Sequence, residues 1–266
     1  MSTVRRETIA EGIELLTLDR PDRLNAMSRE LVTDLHHALD DIAADTDCRV
    51  TILTGAGRGF CAGLDLKETG DLAAEVGGGP PAAMRGQQHI ATLVTQLRAV
   101  PKPVIAAVNG PATGGGLALA LACDVRVAAE SARFNAAFVR VGLSGCDIGV
   151  SYLLPRLVGA SRAFELMLTG RMVESAEADR IGLVSKVVPD GKVVDAAVET
   201  AELIRGNSPF GVWMTKEVMW TNLEAGSLQG AIDLENRTQL LASYTGDLRE
   251  ALAAFVERRP PRFTGR

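Results

Sequence analysis

Residues 103–124, PVIAAVNGPATGGGLALALACD, decide the fold class of this chain. The stretch begins with apolar residues at 103–108, which predict a buried strand. Consecutive glycines, Gly114 to Gly116, then open a helix of small residues that we expect to run to Cys123. The residues that follow, DVRVAA at 124–129, predict another strand. A strand, a glycine-rich turn, a helix and a further strand in succession indicate an α/β fold.

The same order of elements occurs earlier in the chain. Residues 13–18 (IELLTL) and 50–54 (VTILT) predict short strands. Between them, apolar residues recur at the helical spacing of three or four, the stripe of an amphipathic helix. These residues are Leu31, Leu35, Leu39 and Ile42. Ser28 is a suitable N-cap for that helix.

The later part of the chain is predicted to be mostly helical. After residue 149 the one strand-like segment is LVSKVV at 183–188. The helical pattern from about 193 to 257 has an apolar periodicity, and we expect this tail to pack on a neighbour. Residues 70–87 are rich in glycine and contain two prolines, which predicts a mobile loop.

The composition excludes several classes of protein. Of the 266 residues, 47% are hydrophobic and 23% charged, which suits one large domain with a sizeable core. The formal net charge of −5 argues against a nucleic-acid binder. Because the chain has no apolar run of about 18 residues, we expect no membrane span. The N-terminus lacks the apolar segment of a signal peptide, so we expect a cytoplasmic protein.

Metal sites and disulfides are not expected. The four cysteines are scattered without a CxxC pair, and the chain has only three histidines. Cys61 and Cys146 are most simply packing residues, His36 and His37 are expected to be solvated, and His89 is expected at the surface. We predict no metal and no separate cofactor.

Two glycine-bearing segments are the best candidates for chemistry. They are LTGAGRGFCAGLDLKE at 53–68 and VNGPATGGGLALALACD at 108–124, and each follows a predicted strand. Backbone N–H groups at the start of a helix have no intrahelical partner and point outward. Glycine lets a ligand approach the backbone closely. Two such segments facing each other could direct two N–H groups at one oxygen atom.

Two enzyme classes that use glycine-rich turns fit these segments poorly. A short-chain dehydrogenase loop would need glycine where Cys61 stands, and Tyr152 is followed four residues later by Arg156 rather than lysine. A serine hydrolase elbow fails because GLSGC at 142–146 lacks the final glycine. A purely structural role in tight turns remains open for either segment alone.

Several segments, in this order along almost the whole chain, resemble the enoyl-CoA hydratase/isomerase, or crotonase, family. They are RPDRLNAMS (20–28), GRGFCAGLDLKE (57–68), NGPATGGGLALALACDVRVAAESARF (109–134), LPRLVGASRAFELMLTGRMVESAEADRIGLVSKVVP (154–189) and AFVERRPPRFTGR (254–266). The resemblance implies an α/β fold, a crotonase-like spiral of ββα units with a C-terminal helical trimerisation region. We therefore expect an acyl-CoA-binding core at 1–195, a helical oligomerisation region at 196–266, and a homotrimer or a hexamer of two trimers.

The resemblance also implies an oxyanion hole for an acyl-CoA thioester. The residues that match the family's two backbone N–H donors are Leu64 and Gly115. Two donors fixed in advance would stabilise the charge that develops on the thioester oxygen of an enolate. Coenzyme A enters as part of the substrate. The positions that match the family's substrate site are Arg23, Leu24, Ala26, Ala62, Gly63, Asp65, Leu66, Gly114 and Phe138.

Some of these assignments keep an alternative. Arg23 would lie near phosphate or be a solvated residue in a turn, and Asp65 would border the hole or cap a helix. Arg258, Arg259, Arg262 and Phe263 either touch the nucleotide end or form a plain charged tail.

The chain departs from the family pattern at the residues that hydrate a double bond. The family's two glutamates match Ala118 and Phe138, neither of which can transfer a proton. Asp147 resembles the aspartate of the dienoyl-CoA isomerase branch, where it would carry a proton between carbons. The same residue could instead cap a helix beginning near Ile148, and the two roles are compatible.

The sequence leaves three hypotheses for the function. The first is an enzyme of this family that forms a thioester enolate, with isomerase-type chemistry at Asp147 in place of hydration. The second is a non-catalytic acyl-CoA-binding protein. In the third, another carboxylate enters the site of the enzyme, and the candidates are Glu68, Asp71 and Glu75.

Overall fold

The computed structural model describes residues 2–68 and 79–266, and the first half of the chain alternates strands and helices. The elements of this half are β1 (Val4–Ala10), β2 (Ile13–Leu18), a short 3-10 helix (Pro21–Arg23), α1 (Arg29–Ala44), β3 (Val50–Gly55), α2 (Gly79–Ala99), β4 (Val104–Val108), β5 (Ala112–Thr113), α3 (Gly115–Ala122), β6 (Val125–Ala129) and β7 (Arg133–Asn135). The strands predicted at 13–18, 50–54, 103–108 and 124–129 are confirmed to within one residue at either end.

The second half is mostly helical, as predicted. Its elements are a 3-10 helix (Ala137–Val141), α4 (Val150–Val158), α5 (Ala160–Thr169), β8 (Val173–Glu174), α6 (Ser175–Arg180), β9 (Lys186–Val188), α7 (Val193–Arg205), α8 (Pro209–Asn222), α9 (Leu228–Ser243) and α10 (Gly246–Glu257). Within the strand-like segment expected at 183–188, the strand is β9, which covers its last part. Among the residues described, none of the helices combines the length and apolar character that a membrane crossing requires.

The first helix confirms the prediction from its apolar stripe. The Ser28 hydroxyl accepts a hydrogen bond from the Leu31 amide at 3.1 Å, which satisfies one of the helix's free N–H groups. Leu35, Leu39 and Ile42 are fully buried on the face that packs toward the sheet. Burial of this stripe holds α1 against the core.

The prediction of a loop at 70–87 is wrong for the second half of this segment. Residues 79–87 are helical and form the start of α2. Pro80 and Pro81 stand in the first turn, where the missing N–H of proline removes no intrahelical hydrogen bond. The prediction for residues 70–78 falls outside the described part of the chain.

A six-stranded sheet with the order β1-β2-β3-β4-β6-β9 forms the centre of the fold. Strands β1 and β2 pair antiparallel, and every later pair in this sheet is parallel. Parallel neighbours need a crossover, which the helices between the strands provide. Because β3 and β4 are parallel neighbours, with Thr51 opposite Val104, the segments that follow them leave the same edge of the sheet. A smaller sheet has the order β5-β7-β8.

Helices cover both faces of the central sheet. Alternate residues of a strand point to opposite faces, so Leu53 and Ala106 face the core beneath α1 and α3, whereas Ile52 and Ile105 face α7. The residues of α7 that fill the second face are small, among them Ala197 and Ala201. The boundary predicted between residues 195 and 196 falls inside α7, and that division stays a prediction.

Helix α8 is fixed to the core by a buried lysine. The Lys216 ammonium lies 2.9 Å from Asp124 Oδ2 and donates to the carbonyls of Leu97 and Lys102, each at 3.0 Å. Asp124 also accepts from the Trp220 indole at 2.8 Å. These contacts bind α8 to the end of α2, to the segment before β4 and to the start of β6.

We expect Lys216→Met to destabilise the fold by about 3–5 kcal/mol, because it leaves the Asp124 carboxylate without its buried counter-charge. The measurement is chemical denaturation followed by circular dichroism. Lys186→Met is the matched control, since Lys186 pairs with Glu199 at 3.4 Å on the surface. Equal stability of the two variants would contradict this role of Lys216.

Candidate active site

The two glycine-bearing segments lie side by side. Cys61 and Ala112 form a parallel bridge. The Thr113 amide donates to the Cys61 carbonyl at 3.0 Å, and the Thr113 hydroxyl donates to the Ala62 carbonyl at 2.6 Å. The two segments that the sequence analysis selected therefore face each other.

Two glycines allow this close approach. A Cβ on Gly116 would lie 2.0 Å from the Cys61 carbonyl oxygen, so a side chain there would force the segments apart. Gly63 has φ +88°, and a Cβ on it would lie 2.7 Å from the Thr113 oxygen and 3.3 Å from the Gly115 nitrogen. The backbone before Leu64 is thus in direct contact with the start of α3.

The Leu64 and Gly115 amides are not used by the hydrogen bonds of their own segments. In the parallel bridge with Met27, the Met27 amide donates to Gly63 at 2.7 Å and the Asp65 amide donates to Met27 at 3.1 Å. This pattern leaves the N–H of Leu64 unused. Gly115 is the first residue of α3, where an amide has no intrahelical acceptor. Neither amide donates a hydrogen bond to another residue within 2–68 and 79–266.

Apolar atoms surround the Gly115 backbone. A Cβ on Gly115 would lie 2.7 Å from Met27 Sδ and 3.5 Å from Ile148 Cδ1. Ile148 is buried and has φ +33°, a left-handed conformation that is strained for a β-branched residue. A low-polarity surrounding strengthens the interaction of free N–H groups with a negatively charged oxygen.

The segment 20–28 is fastened by an asparagine that the sequence analysis missed. Asn25 is fully buried and donates to the carbonyls of Ala56 and Gly59 at 2.9 and 2.7 Å. Its Oδ1 accepts from the Arg20 amide at 2.9 Å. The signal in the sequence was the residue type, because asparagine tolerates the left-handed conformation that Asn25 adopts at φ +55°.

The resemblance assigns coenzyme A two walls, one at Arg23, Leu24 and Ala26 and the other at Ala62, Asp65 and Leu66. The structure brings these two groups of residues together. The Ala62 amide donates to the Leu24 carbonyl at 2.9 Å. Ala26 is buried beside them, whereas Leu66 is 56% exposed. Arg23 lies in the short 3-10 helix with its residue exposed, so its guanidinium is accessible to an anion.

Arg20 joins these two walls. Its guanidinium donates to the Ala26 carbonyl at 2.6 Å, and it lies 3.0 Å from Asp65 Oδ2 and 2.8 Å from Glu68 Oε1. Burial alone raises the pKa of Asp65, but hydrogen bonds from Arg20 and the Lys67 amide outweigh it and lower the pKa below its ordinary value. The Asp65 carboxylate holds the Arg20 side chain and accepts from the Lys67 amide at 3.2 Å. Because residues 69–78 lie outside the described ranges, the helix-cap alternative for Asp65 stays a prediction.

A cavity of about 640 Å³ opens beside Leu64. It lies between α1, α2 and residues 64–68, and its volume is within the range usual for small-molecule sites. Its lining residues include Met27, Val32, Leu64, Arg85, Gln87 and Ile90. A group whose oxygen binds the Leu64 amide could extend into this cavity.

The two positions that match the family's hydratase glutamates carry no carboxylate. Ala118 is fully buried in α3. The ring of Phe138 is buried, with Cε1 3.7 Å from a Cβ placed on Gly114. The Gly114 amide is occupied, since it donates to Asn135 at 2.9 Å. This side of the site is apolar.

Asp147 directly precedes Ile148, whose side chain packs toward Gly115. Its Oδ1 accepts from the Ile148 amide at 2.8 Å and from the Gln87 side chain at 2.5 Å. The helix-cap alternative is wrong, because α4 begins at Val150 with Gly149 as its N-cap and no side-chain cap. The Asp147 side chain instead fixes the turn that precedes α4.

Glu68 and the thiols lie at less suitable places. Glu68 lines the cavity but pairs with Arg20. Asp71 and Glu75 lie outside the described residues. Burial raises the pKa of Cys61 to about 12, which keeps this thiol protonated and fits a packing residue. Cys146 is exposed, so the prediction that it packs is wrong.

The histidines differ from expectation at His36. Its ring stacks on His89 with centroids 4.6 Å apart, and it is partly buried rather than solvated. Burial and the neighbouring His36 lower the pKa of His89, which lines the cavity. His37 is exposed, as expected.

The C-terminal candidates are held by α10. Arg259 pairs with Glu250 at 2.5 Å, and the Arg262 amide donates to the same carboxylate at 2.7 Å. Across the described ranges, no group of three or more histidine, cysteine, aspartate or glutamate residues could hold a metal ion.

Comparisons with known proteins agree on one family. The family model described as Enoyl-CoA hydratase/isomerase matches residues 8–266. A Mycobacterium tuberculosis protein named probable enoyl-CoA hydratase is 46% identical over 254 residues, covering 95% of this chain and 89% of that one. The 1,2-epoxyphenylacetyl-CoA isomerase of Escherichia coli is 38% identical over 258 residues, covering 97% of each. A crystal structure of a probable enoyl-CoA hydratase/isomerase from Mycobacterium abscessus matches with a TM-score of 0.91 and 41% identity over 100% of both chains.

We expect Asp65→Asn to destabilise the protein near neutral pH and to lose this effect in acid. Because the folded-state pKa of Asp65 is lowered, its contribution to stability is complete above the unfolded pKa of about 4 and disappears as pH falls through the folded value. The measurement is the free energy of unfolding of both proteins from pH 7 to pH 3. A difference between the two that stays constant over this range would contradict the Arg20–Asp65 interaction.

Proposed function

The chain belongs to the enoyl-CoA hydratase/isomerase family, and from this premise we propose that it isomerises acyl-CoA thioesters through an enolate, with Asp147 as the proton carrier. The observation that carries the proposal is the pair of unused amides at Leu64 and Gly115, which lie on contacting segments. Coenzyme A arrives with the substrate, and no other cofactor is proposed.

The two amides would act on the thioester oxygen. When a proton leaves the carbon next to the thioester, negative charge moves onto that oxygen, and both N–H groups donate to it. Each donor of this kind typically contributes on the order of a hundred- to a thousand-fold in rate. The N-terminus of α3 adds a favourable dipole at Gly115.

Proton transfer by a single carboxylate fits the rest of the site. Asp147 would take the proton from one carbon, forming its own O–H bond, while the electron pair of the broken C–H bond enters the conjugated enolate. The enolate would then recover that proton at a more distant carbon, so the double bond moves and no water is added. Support comes from Ala118 and Phe138, which cannot act as the acid and base of hydration, and from the isomerase among the relatives.

The coenzyme A portion would lie along the joined walls of the site. Arg23 is an exposed cation suited to a phosphate. Leu24, Ala26 and Ala62 offer backbone and small side chains beside it. The acyl group would enter the cavity of about 640 Å³, which has room for a longer or bulkier group than a four-carbon chain.

A non-catalytic acyl-CoA-binding protein is the alternative, favoured by the missing carboxylates at Ala118 and Phe138. It keeps the same amides and the same walls. The two proposals differ only in whether Asp147 moves a proton.

We also propose that the chain forms a homotrimer, or a hexamer of two trimers, through its C-terminal helices. Large apolar side chains are exposed on α9 and α10, which marks an interaction surface. They are Leu240, Leu241, Leu248, Leu252, Phe255 and Val256.

Asp147→Asn should lower the turnover of 3-enoyl- or dienoyl-CoA by about a hundred-fold or more, because the amide cannot accept the proton. Binding of a coenzyme A thioester, measured by calorimetry, should change little. Asp195→Asn is the control, since Asp195 pairs with Lys192 on the surface at 3.1 Å. Tight binding by the wild-type protein without turnover of any thioester in the panel would favour the binding protein.

Sedimentation should give three or six times the monomer mass. Phe255→Glu should reduce the assembled fraction, because Phe255 is 84% exposed and a charge on this face opposes burial. Arg249→Glu alters a polar position of the same helix and should leave the mass unchanged. A wild-type monomer at micromolar concentration would contradict the assembly.

A further inference from the structure

The Asp147 carboxylate is held asymmetrically. Its Oδ1 accepts two hydrogen bonds, one from the Ile148 amide at 2.8 Å and one from Gln87 Nε2 at 2.5 Å. Its Oδ2 accepts none from the residues in 2–68 and 79–266. One oxygen of the carboxylate is therefore occupied by protein donors, and the other is available to a ligand.

The two donors come from different elements of the fold. Ile148 belongs to the turn before α4, and its side chain packs toward Gly115, 3.5 Å from a Cβ placed there. Gln87 belongs to α2 and lines the cavity beside Leu64. The carboxylate is thus fixed between the backbone near the hole and the helix that walls the acyl cavity.

Nothing else in the described part of the fold requires Gln87. The residue is exposed, and its side chain makes no other hydrogen bond among the described residues. An amide side chain offers an N–H donor that a carboxylate or an alkyl group of similar size does not. The contact is consequently specific for a donor at this position and independent of core packing.

We propose that Gln87 is a positioning residue that holds Asp147 Oδ1, so that Oδ2 alone takes and returns the proton. This inference rests on the proposed isomerisation. The C2–H bond of a 3-enoyl thioester breaks as the Oδ2–H bond forms, and the electron pair enters the dienolate. The same Oδ2–H bond then breaks as a C4–H bond forms, which restores the carboxylate and leaves a 2-enoyl thioester.

A single fixed oxygen has a measurable consequence. The proton removed from C2 stays on one atom close to C4, so part of it reaches C4 before it exchanges with water. Without Gln87 only the Ile148 amide holds Oδ1, so the carboxylate rotates more freely about its Cβ–Cγ bond and the proton-bearing oxygen moves away from C4. In a variant without Gln87, kcat and the fraction of the C2 label that reaches C4 should therefore both fall.

The test uses a 3-enoyl-CoA deuterated at C2 and the full-length protein. Gln87→Leu should lower kcat about tenfold, within the range that proton-transfer groups contribute, and leave KM within about twofold. The fraction of deuterium found at C4 should fall several-fold. Gln88→Leu is the matched control, because the adjacent Gln88 is also exposed and makes no hydrogen bond to Asp147.

Gln87→Glu tests whether the N–H donor of Gln87 matters apart from the size of its side chain. It keeps the length of the side chain but replaces the N–H with an acceptor, so it should be at least as impaired as Gln87→Leu. Wild-type kcat and label transfer in both variants would overturn the role of Gln87 while Asp147→Asn remains inactive. Absence of turnover by the wild-type protein would contradict the isomerisation itself.

Discussion

The contact between the Cys61 carbonyl and the first turn of α3 is the constraint on which the rest of the site depends. A Cβ on Gly116 would lie 2.0 Å from that oxygen, so the two segments can meet only as bare backbone. The parallel pairing of β3 with β4 delivers both segments to the same edge of the sheet. Their contact brings the backbone before Leu64 against Gly115, neither amide donates to another described residue, and every proposed step uses those two groups.

The surrounding residues serve to keep this backbone arrangement rigid. Asn25 ties the segment 20–28 to the carbonyls of Ala56 and Gly59, and Arg20 ties the same segment to Asp65. Donors fixed before the substrate arrives need no reorganisation when charge develops on an oxygen. The rigidity of these loops is therefore the source of the catalytic effect that the amides would have, and the side chain of Leu64 matters little to it.

Much of the fold and the two glycine-bearing segments could be predicted because the signals are local. Apolar runs, the stripe of α1 and its Ser28 cap, and the glycines of the two segments all act within a few residues along the chain. Strand β1 was not predicted, since its mostly exposed residues (VRRETIA) lack a clear alternation. The helix at 79–87 was mistaken for a loop because proline was taken as a breaker, whereas in a first turn it is tolerated.

The interactions that were missed join residues far apart in sequence. His36 meets His89, Arg20 meets Asp65, and Gln87 meets Asp147 across 60 positions. Periodicity and spacing carry no information about such pairs. The same limit applies to Asp147, for which the sequence left a helix cap and a proton-transfer role open, and only the fold shows Gly149 as the N-cap of α4.

The central claim is that the Leu64 and Gly115 amides bind one thioester oxygen, and a crystal structure with a bound, unreactive acyl-CoA tests it most directly. The account predicts the thioester oxygen at about 2.7–3.1 Å from both amide nitrogens, with the acyl group in the cavity between α1 and α2. A thioester oxygen hydrogen-bonded elsewhere, with both amides facing water, would contradict it.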